Sequence, residues 1–292
     1  MEMQKIIAVV ALWWALAPVS AADFESGKQA YNNRDYAAAL REWLPLAEAG
    51  EPRSQFYLGH MYRLGRGVPK DVNEAIRWYR SAANQGYAEA QNAMGNCYNA
   101  GIGVSVDYAE AMRWYRLAID QGLAKAKANW GRQYEMGLGV KRDYQEAVKW
   151  YRIAADSGDP MGQAKLGGAY DQGHGVRRDQ KEAAKWYRRA AEQGNDEAQF
   201  KLGNMYETGD GVEKDYQQAL KWYRAAADQG YAWALTNLGC MYAKGLGVKL
   251  DLNEAAKWYE LAAQEGDEMA QRNLVVIRRR ASEQTAKSLE RH

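Results

Sequence analysis

Apolar residues follow a helical period along nearly the whole chain. In one representative stretch they stand at positions i, i+3, i+4, i+7 and i+8, namely Ala90, Ala93, Met94, Cys97 and Tyr98. This spacing places them on one face of an α-helix. No stretch of the sequence alternates with the period of two that a half-buried strand requires. The pattern therefore predicts an all-α fold.

A second helix follows this first helix after a short loop. Its apolar face has the same spacing and consists of Ala111, Trp114, Tyr115 and Ala118. The loop begins with Gly101-Ile102-Gly103-Val104, and its glycines can adopt the positive φ that ends a helix. Asp107 and Glu110 then stand at the spacing of a capping box, with Asp as the cap. We therefore predict that the second helix begins at Asp107.

This helix pair recurs six times with a period of 36 residues. The loop glycine stands at Gly65, Gly101, Gly137, Gly173, Gly209 and Gly245. A Trp-Tyr pair begins at Trp78, Trp114, Trp150, Trp186, Trp222 and Trp258. A further glycine, inside the first helix, stands at Gly59, Gly95, Gly131, Gly167, Gly203 and Gly239. Self-similarity at such a period is the sequence signature of a helical repeat array.

The glycine inside each first helix predicts a close approach by a neighbouring side chain. Glycine in a helix interior costs about 1 kcal/mol relative to alanine, and here the cost recurs six times. Burying a large aromatic ring gives roughly 5 kcal/mol gross, which outweighs that cost. We expect the Trp of the Trp-Tyr pair to fill the space, so that Trp150→Ala costs about 3–5 kcal/mol.

The unit resembles the Sel1-like (Sel-one-like) repeat, or SLR, a longer relative of the tetratricopeptide repeat (TPR). The residues that carry the resemblance are Ala198-Gln-Phe-Lys-Leu-Gly-Asn-Met-Tyr206, Gly209-Asp-Gly-Val212 and Ala219-Leu-Lys-Trp-Tyr223. Equivalent residues recur over about residues 52–266. The resemblance implies a right-handed α-solenoid built from antiparallel helix pairs.

The two ends of the array depart from the repeat. Residues 22–51 lack the Gly-x-Gly loop and resemble a TPR-like capping helix pair, whereas residues 52–266 hold the six repeats. In residues 267–292, Val275 replaces the helix glycine and a basic tail follows, which is typical of a C-terminal capping helix. Because neighbouring units of a solenoid share interfaces, we expect one continuous array.

The N-terminus has the organisation of a signal peptide. A weakly positive start is followed by an apolar run from Ile6 to Ala17 and by small residues at a cleavage site after Ala21 or Ala22. We expect residues 1–21 to be removed and the mature chain to be periplasmic or secreted, without membrane insertion. The alternative is an uncleaved anchor, although the apolar stretch is short for a membrane span.

Charge and composition argue against several classes of function. A net charge of +2 is too balanced for an electrostatic nucleic-acid binder. Three His and two Cys leave few ligands for a metal, and six Gly-x-Gly loops between helices do not have the context of phosphate loops. We expect no cofactor, no metal and no catalytic residues. Cys97 is expected in the core, Cys240 nearer the surface, and no disulfide between them.

The resemblance places partner binding on the first helices, which line the concave face of TPR-like arrays. Polar residues at non-core positions of these helices form a candidate track for an extended peptide or its carboxylate: Asn96, Asn129, Arg132, Lys165, Lys201 and Asn204. Amide side chains donate and accept hydrogen bonds together, which suits a peptide backbone. The track resembles the Lys/Asn clamp of some TPR domains. An ordinary solvated stripe remains the alternative.

Two aromatic residues outside the repeated positions, Tyr57 and Trp233, are added as candidate partner contacts. The leading hypothesis is an exported, non-enzymatic scaffold or regulator that binds a protein or peptide. A peptidoglycan or glycan-fragment binder is the alternative, for which Tyr87 and Tyr231 would join Tyr57 and Trp233 in stacking. A β-lactamase-like hydrolase is a weaker alternative, because the cysteine-rich relatives linked to it carry a Cys pair in each repeat and this chain does not.

Overall fold

The computed structural model describes residues 22–289, with side chains described as far as residue 283. These residues form fifteen α-helices and no β-strand, so the all-α repeat solenoid is confirmed. The predicted signal peptide, residues 1–21, lies outside the described residues. The described residues divide into two compact units, the first ending at residue 121 and the second beginning at residue 122. The expected continuity of one array from residue 52 to residue 266 stays a prediction.

Unit one contains the predicted N-terminal cap and the first two repeats. Its helices, each packed against the next, are α1 (Phe24–Asn32), α2 (Tyr36–Glu48), α3 (Pro52–Leu64), α4 (Val72–Asn84), α5 (Ala88–Ala100) and α6 (Tyr108–Asp120). In the cap, the fully buried Trp43 donates its indole N–H to the backbone oxygen of Phe24 at 3.0 Å. This bond ties the two helices of the cap together.

Unit two contains four repeats and the last helix. Its helices, again packed in sequence, are α7 (Ala124–Met136), α8 (Tyr144–Asp156), α9 (Pro160–Gln172), α10 (Gln180–Glu192), α11 (Asp196–Thr208), α12 (Tyr216–Ala227), α13 (Ala232–Lys244), α14 (Leu252–Gln264) and α15 (Glu268–Leu289). The first helices of its repeats are α7, α9, α11 and α13, and the second helices are α8, α10, α12 and α14.

Aspartate caps the second helix of every repeat, as the sequence predicts. Asp107 accepts a hydrogen bond from the backbone N–H of Glu110 at 2.9 Å. The reciprocal bond of a capping box does not form, because the Asp107 N–H already donates to the backbone oxygen of Tyr98 at 3.0 Å. Glu110 pairs instead with Arg113 at 3.2 Å. The cap therefore also anchors the end of the loop to the first helix.

The two glycines of each loop, such as Gly101 and Gly103, have different structural roles. Gly101 ends α5 in the left-handed conformation, with φ of 69°. Gly103, with φ of 67°, lies against the start of α4 in the preceding repeat, where a Cβ would come within 2.8 Å of both Val72 and Ile76. The second glycine is therefore needed for contact between successive repeats as well as for the turn.

The helix glycine contacts tyrosine, and the expectation that tryptophan fills this space is wrong. A Cβ at Gly95 would lie 2.5 Å from the Tyr115 ring, and the same relation holds in every repeat. Adjacent residues of a helix point about 100° apart, so the neighbouring Trp faces elsewhere. Trp186, for example, packs with Val148 of the preceding repeat and Leu166 of its own. Tyrosine thus joins the two helices of a repeat, and tryptophan joins successive repeats.

A relay of glutamine pairs, each with one buried and one exposed member, links successive repeats of each unit. Gln91 donates to the backbone oxygen of Ala83 in the preceding helix at 3.2 Å, and its own oxygen accepts from Gln121 at 2.7 Å. The same arrangement occurs at Gln55 with Gln85, Gln163 with Gln193, and Gln199 with Gln229. In the two other repeats both members change, to Lys127 with Ser157 and to Leu235 with Glu265. The paired change indicates that the two positions depend on each other.

The contact between α14 and the last helix, α15, differs from the equivalent contact between successive repeats. Within the repeats, an arginine of the second helix donates to a tyrosine of the next first helix, as Arg188 does to Tyr206 at 2.6 Å. At the equivalent positions of α14 and α15 the pair becomes Glu260 with Arg278, which form an ion pair. Val275, at the helix-glycine position, is 71% exposed, since no tyrosine of a following helix covers it among the described residues.

Candidate partner-binding site

In unit two, the hydroxyls of the buried tyrosines reach the polar side of the first helices. Tyr151 donates to the Glu135 carboxylate at 2.6 Å. The Tyr223 hydroxyl lies 2.6 Å from the Glu207 carboxylate and 2.5 Å from the Asn204 amide oxygen. Burial, together with the adjacent carboxylate, raises the pKa of both tyrosines, which therefore remain protonated donors. Hydrogen bonds from buried tyrosines therefore fix the positions of Glu135, Glu207 and Asn204 on this surface.

Two of the tyrosines hold members of a row of carboxylates that the candidate track does not include. The row consists of Glu135, Asp171 and Glu207, which recur with the 36-residue period. Asp171 accepts a hydrogen bond from the Gln180 side chain at 2.9 Å, and its charge adds to burial in raising the pKa of Tyr187. The recurrence is visible in the sequence. What the sequence does not show is that a tyrosine of the second helix points at this row, because that depends on the orientation of the ring across two helices.

The three candidate cations differ in their surroundings. Lys165 of α9 forms an ion pair with Glu197 of α11 at 3.0 Å. Arg132 is exposed. Its positive charge acts to lower the pKa of the nearby Tyr151, but burial raises that pKa by more. Lys201 is half-buried and has no hydrogen bond or ion pair within the described residues. Lys201 and Arg132 are therefore the cations that remain open to a partner's anion.

The candidate asparagines are structural as well as polar. Asn129 is only 7% exposed, which leaves little of it for a partner to touch. Asn204 accepts a hydrogen bond from the Asn237 amide at 3.0 Å and so links α11 to α13. In unit one, Asn96 accepts from the Tyr115 hydroxyl at 2.8 Å. These amides fix neighbouring first helices and orient the tyrosines.

First helices of successive repeats lie side by side in unit two. Lys165 with Glu197 joins α9 to α11, Asn237 with Asn204 joins α11 to α13, and α7 packs against α9. We call the surface they form the first-helix face, defined by the basic residues Arg132, Lys165 and Lys201 and the acidic residues Glu135, Asp171 and Glu207. It carries a basic row and an acidic row along the repeat direction.

The candidate aromatic residues fall into two groups. Tyr57 of α3 is half-buried in an aromatic cluster with α1 and α2, and its ring centroid lies 4.6 Å from that of Trp43. Tyr87 and Tyr231 pack against Phe56 and Phe200 respectively. Trp233 is different, because it is 59% exposed. It borders a depression of about 400 Å³ in unit two together with Met269 and Arg272.

The described residues show no constellation of the kinds that carry metal or thiol chemistry. Among them, no group of three or more His, Cys, Asp or Glu side chains is placed to hold a metal ion. Both cysteines are free thiols. Burial raises the pKa of Cys97 to about 11, which leaves its reactive thiolate scarce at neutral pH. Cys240 accepts a hydrogen bond from the Tyr259 hydroxyl at 3.1 Å.

Comparison with known families identifies the repeat. The model of the Sel1 repeat matches residues 52–87, 88–123, 124–159, 160–195, 196–231 and 234–267. The chain belongs to the Sel1 repeat family.

Solved structures give this Sel1 repeat protein several relatives. A Sel1 repeat protein from Oxalobacter formigenes is 39% identical, with a TM-score of 0.72, over 83% of this chain and 100% of that one. The protective antigen c5321 of uropathogenic Escherichia coli, described as displaying an SLR fold, is 38% identical with a TM-score of 0.61. That match covers 88% of this chain and 56% of the antigen.

A more distant structure shares the fold alone. The immunity protein Pa5087 from Pseudomonas aeruginosa is 21% identical, with a TM-score of 0.55, over 73% of this chain and 81% of its own. No curated protein is similar enough to this Sel1 repeat protein to count as a match. Sel1 repeat proteins are in general scaffolds for protein interactions. Within the described residues, no helix is both long and apolar enough to cross a membrane.

Proposed function

We propose that this protein is an exported, non-enzymatic scaffold or regulator that binds a partner protein or peptide on the first-helix face of unit two. The observation that carries the proposal is the contrast between the two rows of that face. Its carboxylates Glu135 and Glu207 are held by buried tyrosines, whereas the cations Arg132 and Lys201 have no ion pair among the described residues. A fixed acidic row beside open cations suits an extended segment that carries both charges.

The binding chemistry follows from these groups. The Arg132 guanidinium can hold a carboxylate through two parallel hydrogen bonds, and the Lys201 ammonium adds a second positive charge. The acidic row would accept backbone N–H groups or a cationic side chain of the partner. Because tyrosines already fix Glu135 and Glu207, only the partner and the side chains of Arg132 and Lys201 are ordered on binding, which limits the entropic cost.

The test uses the Arg132→Glu/Lys201→Glu variant as bait against cell-envelope extract, with cross-linking and mass spectrometry. We expect partners recovered by the wild-type protein to be lost or reduced at least about tenfold, as for loss of close charge pairs. The matched control is Lys28→Glu/Arg41→Glu, which changes the net charge equally at two exposed cations of unit one. Equal recovery by wild type and the face variant would contradict the proposed site.

The proposal of export depends on the signal peptide predicted at residues 1–21, which can be tested by fractionation. The full chain, expressed with a C-terminal tag, should appear in the periplasmic or extracellular fraction with a new N-terminus at Ala22 or Asp23. Deleting residues 2–21 should retain it in the cytoplasm. A full-length chain that stays with the membrane fraction would favour the uncleaved anchor instead.

The exposed ring of Trp233 supports a second candidate, binding of a glycan or peptidoglycan fragment. An exposed tryptophan beside a depression is a surface on which a sugar ring can stack. Tyr57, Tyr87 and Tyr231 do not join it, since their rings pack against other aromatic residues. Titration with a soluble peptidoglycan fragment should quench the tryptophan fluorescence of wild type but leave Trp233→Ala unchanged. Equal quenching in both proteins would exclude Trp233 as the stacking residue.

A further inference from the structure

We infer that the edge of unit two formed by its helix-connecting loops is a second interaction surface, which binds an acidic segment of a protein in extended form. We call this surface the loop edge and define it by the residues that follow the Gly-x-Gly-Val loops, Lys141, Arg142, Arg177 and Arg178, with Lys181 at the start of α10. Its cations differ from those of the first-helix face, and binding there does not depend on the function proposed for that face.

Depressions recur along this edge in the third, fourth and fifth repeats. The first, of about 600 Å³, includes Lys141, Arg142 and Tyr144 in its wall. The second, of about 680 Å³, includes Arg177, Arg178 and Lys181. A third, of about 930 Å³, includes Arg188 and Lys214 but also Glu213. The positive charge is therefore concentrated in the first two depressions.

The walls of the depressions are rigid because successive repeats interlock there. Gly175 borders the first depression and Gly211 the second. A Cβ at either glycine would lie 2.2 Å from a backbone oxygen of the preceding repeat, that of Tyr144 or of Gln180. The next repeat thus closes each depression with backbone, and the two depressions follow one another directly along the edge.

Several cations on this edge lack a partner within the protein. Lys141, Arg177 and Lys181 are exposed, and they have no hydrogen bond, ion pair or aromatic contact among the described residues. Arg178 differs, because its Nε donates to the backbone oxygen of Asp171 at 2.9 Å. The neighbouring Asp143 and Asp179 do not neutralise these cations fully, since both carboxylates accept from backbone N–H groups as helix caps. Cations without a partner in successive preformed depressions favour the binding of an anionic ligand.

The repeat spacing points to a carboxylate at every third residue of the partner. Packed helices lie about 10 Å apart, which sets the distance between equivalent points of successive repeats. A polyproline II helix advances about 3.1 Å per residue with three residues per turn, so every third side chain lies on one face at about 9.3 Å. An acidic residue at each such position would meet one depression per turn. Arginine beside each depression provides the planar pairing that carboxylates favour.

The loops of unit one do not share this character. At the equivalent positions they carry Pro69-Lys70 and Ser105-Val106. The basic pairs therefore belong to the third and fourth repeats and are not a property of the repeat as such.

The experiment measures binding of a dye-labelled peptide, (Glu-Pro-Pro)5, to the full mature chain by fluorescence anisotropy at low salt. We expect Lys141→Glu/Arg177→Glu to weaken binding about tenfold or more, as for loss of electrostatic partners. The control Lys28→Glu/Arg41→Glu replaces two exposed cations of unit one, has the same net charge and should stay within about twofold of wild type. Arg132→Glu/Lys201→Glu is measured beside it, to show whether the peptide binds the first-helix face instead. A peptide of the same composition with its five Glu clustered should bind several-fold more weakly. If Lys141→Glu/Arg177→Glu unfolds, Lys141→Ala/Arg177→Ala should also bind the peptide more weakly than the wild type and the control do.

Four outcomes would overturn the inference. The first is no binding of the spaced peptide by wild type, and the second is an unchanged Kd in the loop-edge variant. The third is an equal loss in the first-helix-face variant, which would place the peptide on that face. The fourth is tighter binding of a single-stranded oligonucleotide of equal charge, which would assign the edge to nucleic acid. Loss of partner capture only in the face variant would leave this inference intact, so the two proposals fail separately.

Discussion

The ring of Tyr187 lies directly on Gly167 of the facing helix, where a Cβ would come within 2.9 Å of the ring carbon Cδ1. The next residue of the same helix, Gly168, has only the Tyr187 hydroxyl near it, at 3.5 Å from the position of a Cβ. Two adjacent glycines in one helix therefore meet different surroundings. One is required by packing, and the other is not.

This difference predicts opposite effects of one substitution. Gly167→Ala should destabilise the protein by about 1–3 kcal/mol, because the added methyl displaces a buried ring. Gly168→Ala should be neutral or stabilising by about 0.5–1 kcal/mol, because alanine loses less backbone entropy in a helix. Thermal and urea unfolding followed by circular dichroism would measure both. Equal destabilisation by the two variants would mean that the Tyr187 ring does not limit the space at Gly167.

The two rings of the Trp-Tyr pair should differ in their contribution to stability. Tyr151 is fully buried against Gly131, so Tyr151→Ala should cost about 3–5 kcal/mol. Trp150 is half-buried, and its indole N–H donates to Glu146 at 3.0 Å. Trp150→Ala should therefore cost less than Tyr151→Ala, which revises the expectation from sequence. Urea unfolding of both variants decides this, and a larger loss for Trp150→Ala would contradict the assignment of the ring contacts.

A conservative variant separates the ring of this tyrosine from its hydroxyl. Tyr151→Phe keeps the ring on Gly131 but removes the donor to Glu135, so it should cost only about 1–2 kcal/mol. It also frees Glu135 on the first-helix face. Partner capture should then fall while the helical content is unchanged. Unchanged capture would show that orientation of this carboxylate does not matter for binding.

Caps and turns within one segment of the chain could be predicted from the sequence, whereas contacts between helices could not. The Asp107 cap and the Gly101 turn depend on residues a few positions apart, and both are present as expected. Which ring faces Gly95 depends on a 100° difference between Trp114 and Tyr115, and the apolar pattern does not distinguish them. Gln91 and Gln121 lie 30 residues apart, and their bond follows from the packing of two helices. For the same reason the burial of Asn129 and the pairing of Lys165 could not be read from the spacing.

The glutamine relay predicts coupling between its two members. Gln91→Leu removes the bond to the Ala83 backbone oxygen and the bond from Gln121. The cost should be about 0.5–1.5 kcal/mol, because Ala83 still accepts from the Gly86 N–H and Gln121 still donates to the backbone oxygen of Leu117. The chain itself combines Leu235 with Glu265 at the equivalent positions. Gln121→Glu should therefore be tolerated better in the Gln91→Leu background than in wild type. A double-mutant cycle should give a coupling energy of about 0.5 kcal/mol or more, and strict additivity would show that the relay is not a unit.

The last helix should lose stability as the pH falls, through Asp267. Burial acts to raise the pKa of this carboxyl, but hydrogen bonds from Thr236, at 2.6 Å, and from the backbone of Ala270 and Met269 outweigh it and lower the pKa below its ordinary value of 3.8. A carboxyl whose pKa is lower in the folded state stabilises that state fully above its unfolded pKa. This contribution is lost as the pH falls through the folded value.

Hydrogen exchange of α15 can isolate this effect. Asp267→Asn keeps a capping side chain but has no proton to gain in this range, so comparing the two proteins at each pH cancels the intrinsic exchange rates. Wild type should be the better protected at neutral pH, and the difference should disappear below the folded pKa of Asp267. A difference that persists unchanged into acid would mean that the charge of Asp267 does not hold α15 to α13. Thr236→Val should reproduce part of the loss at neutral pH, because it removes the donor from the α13 side.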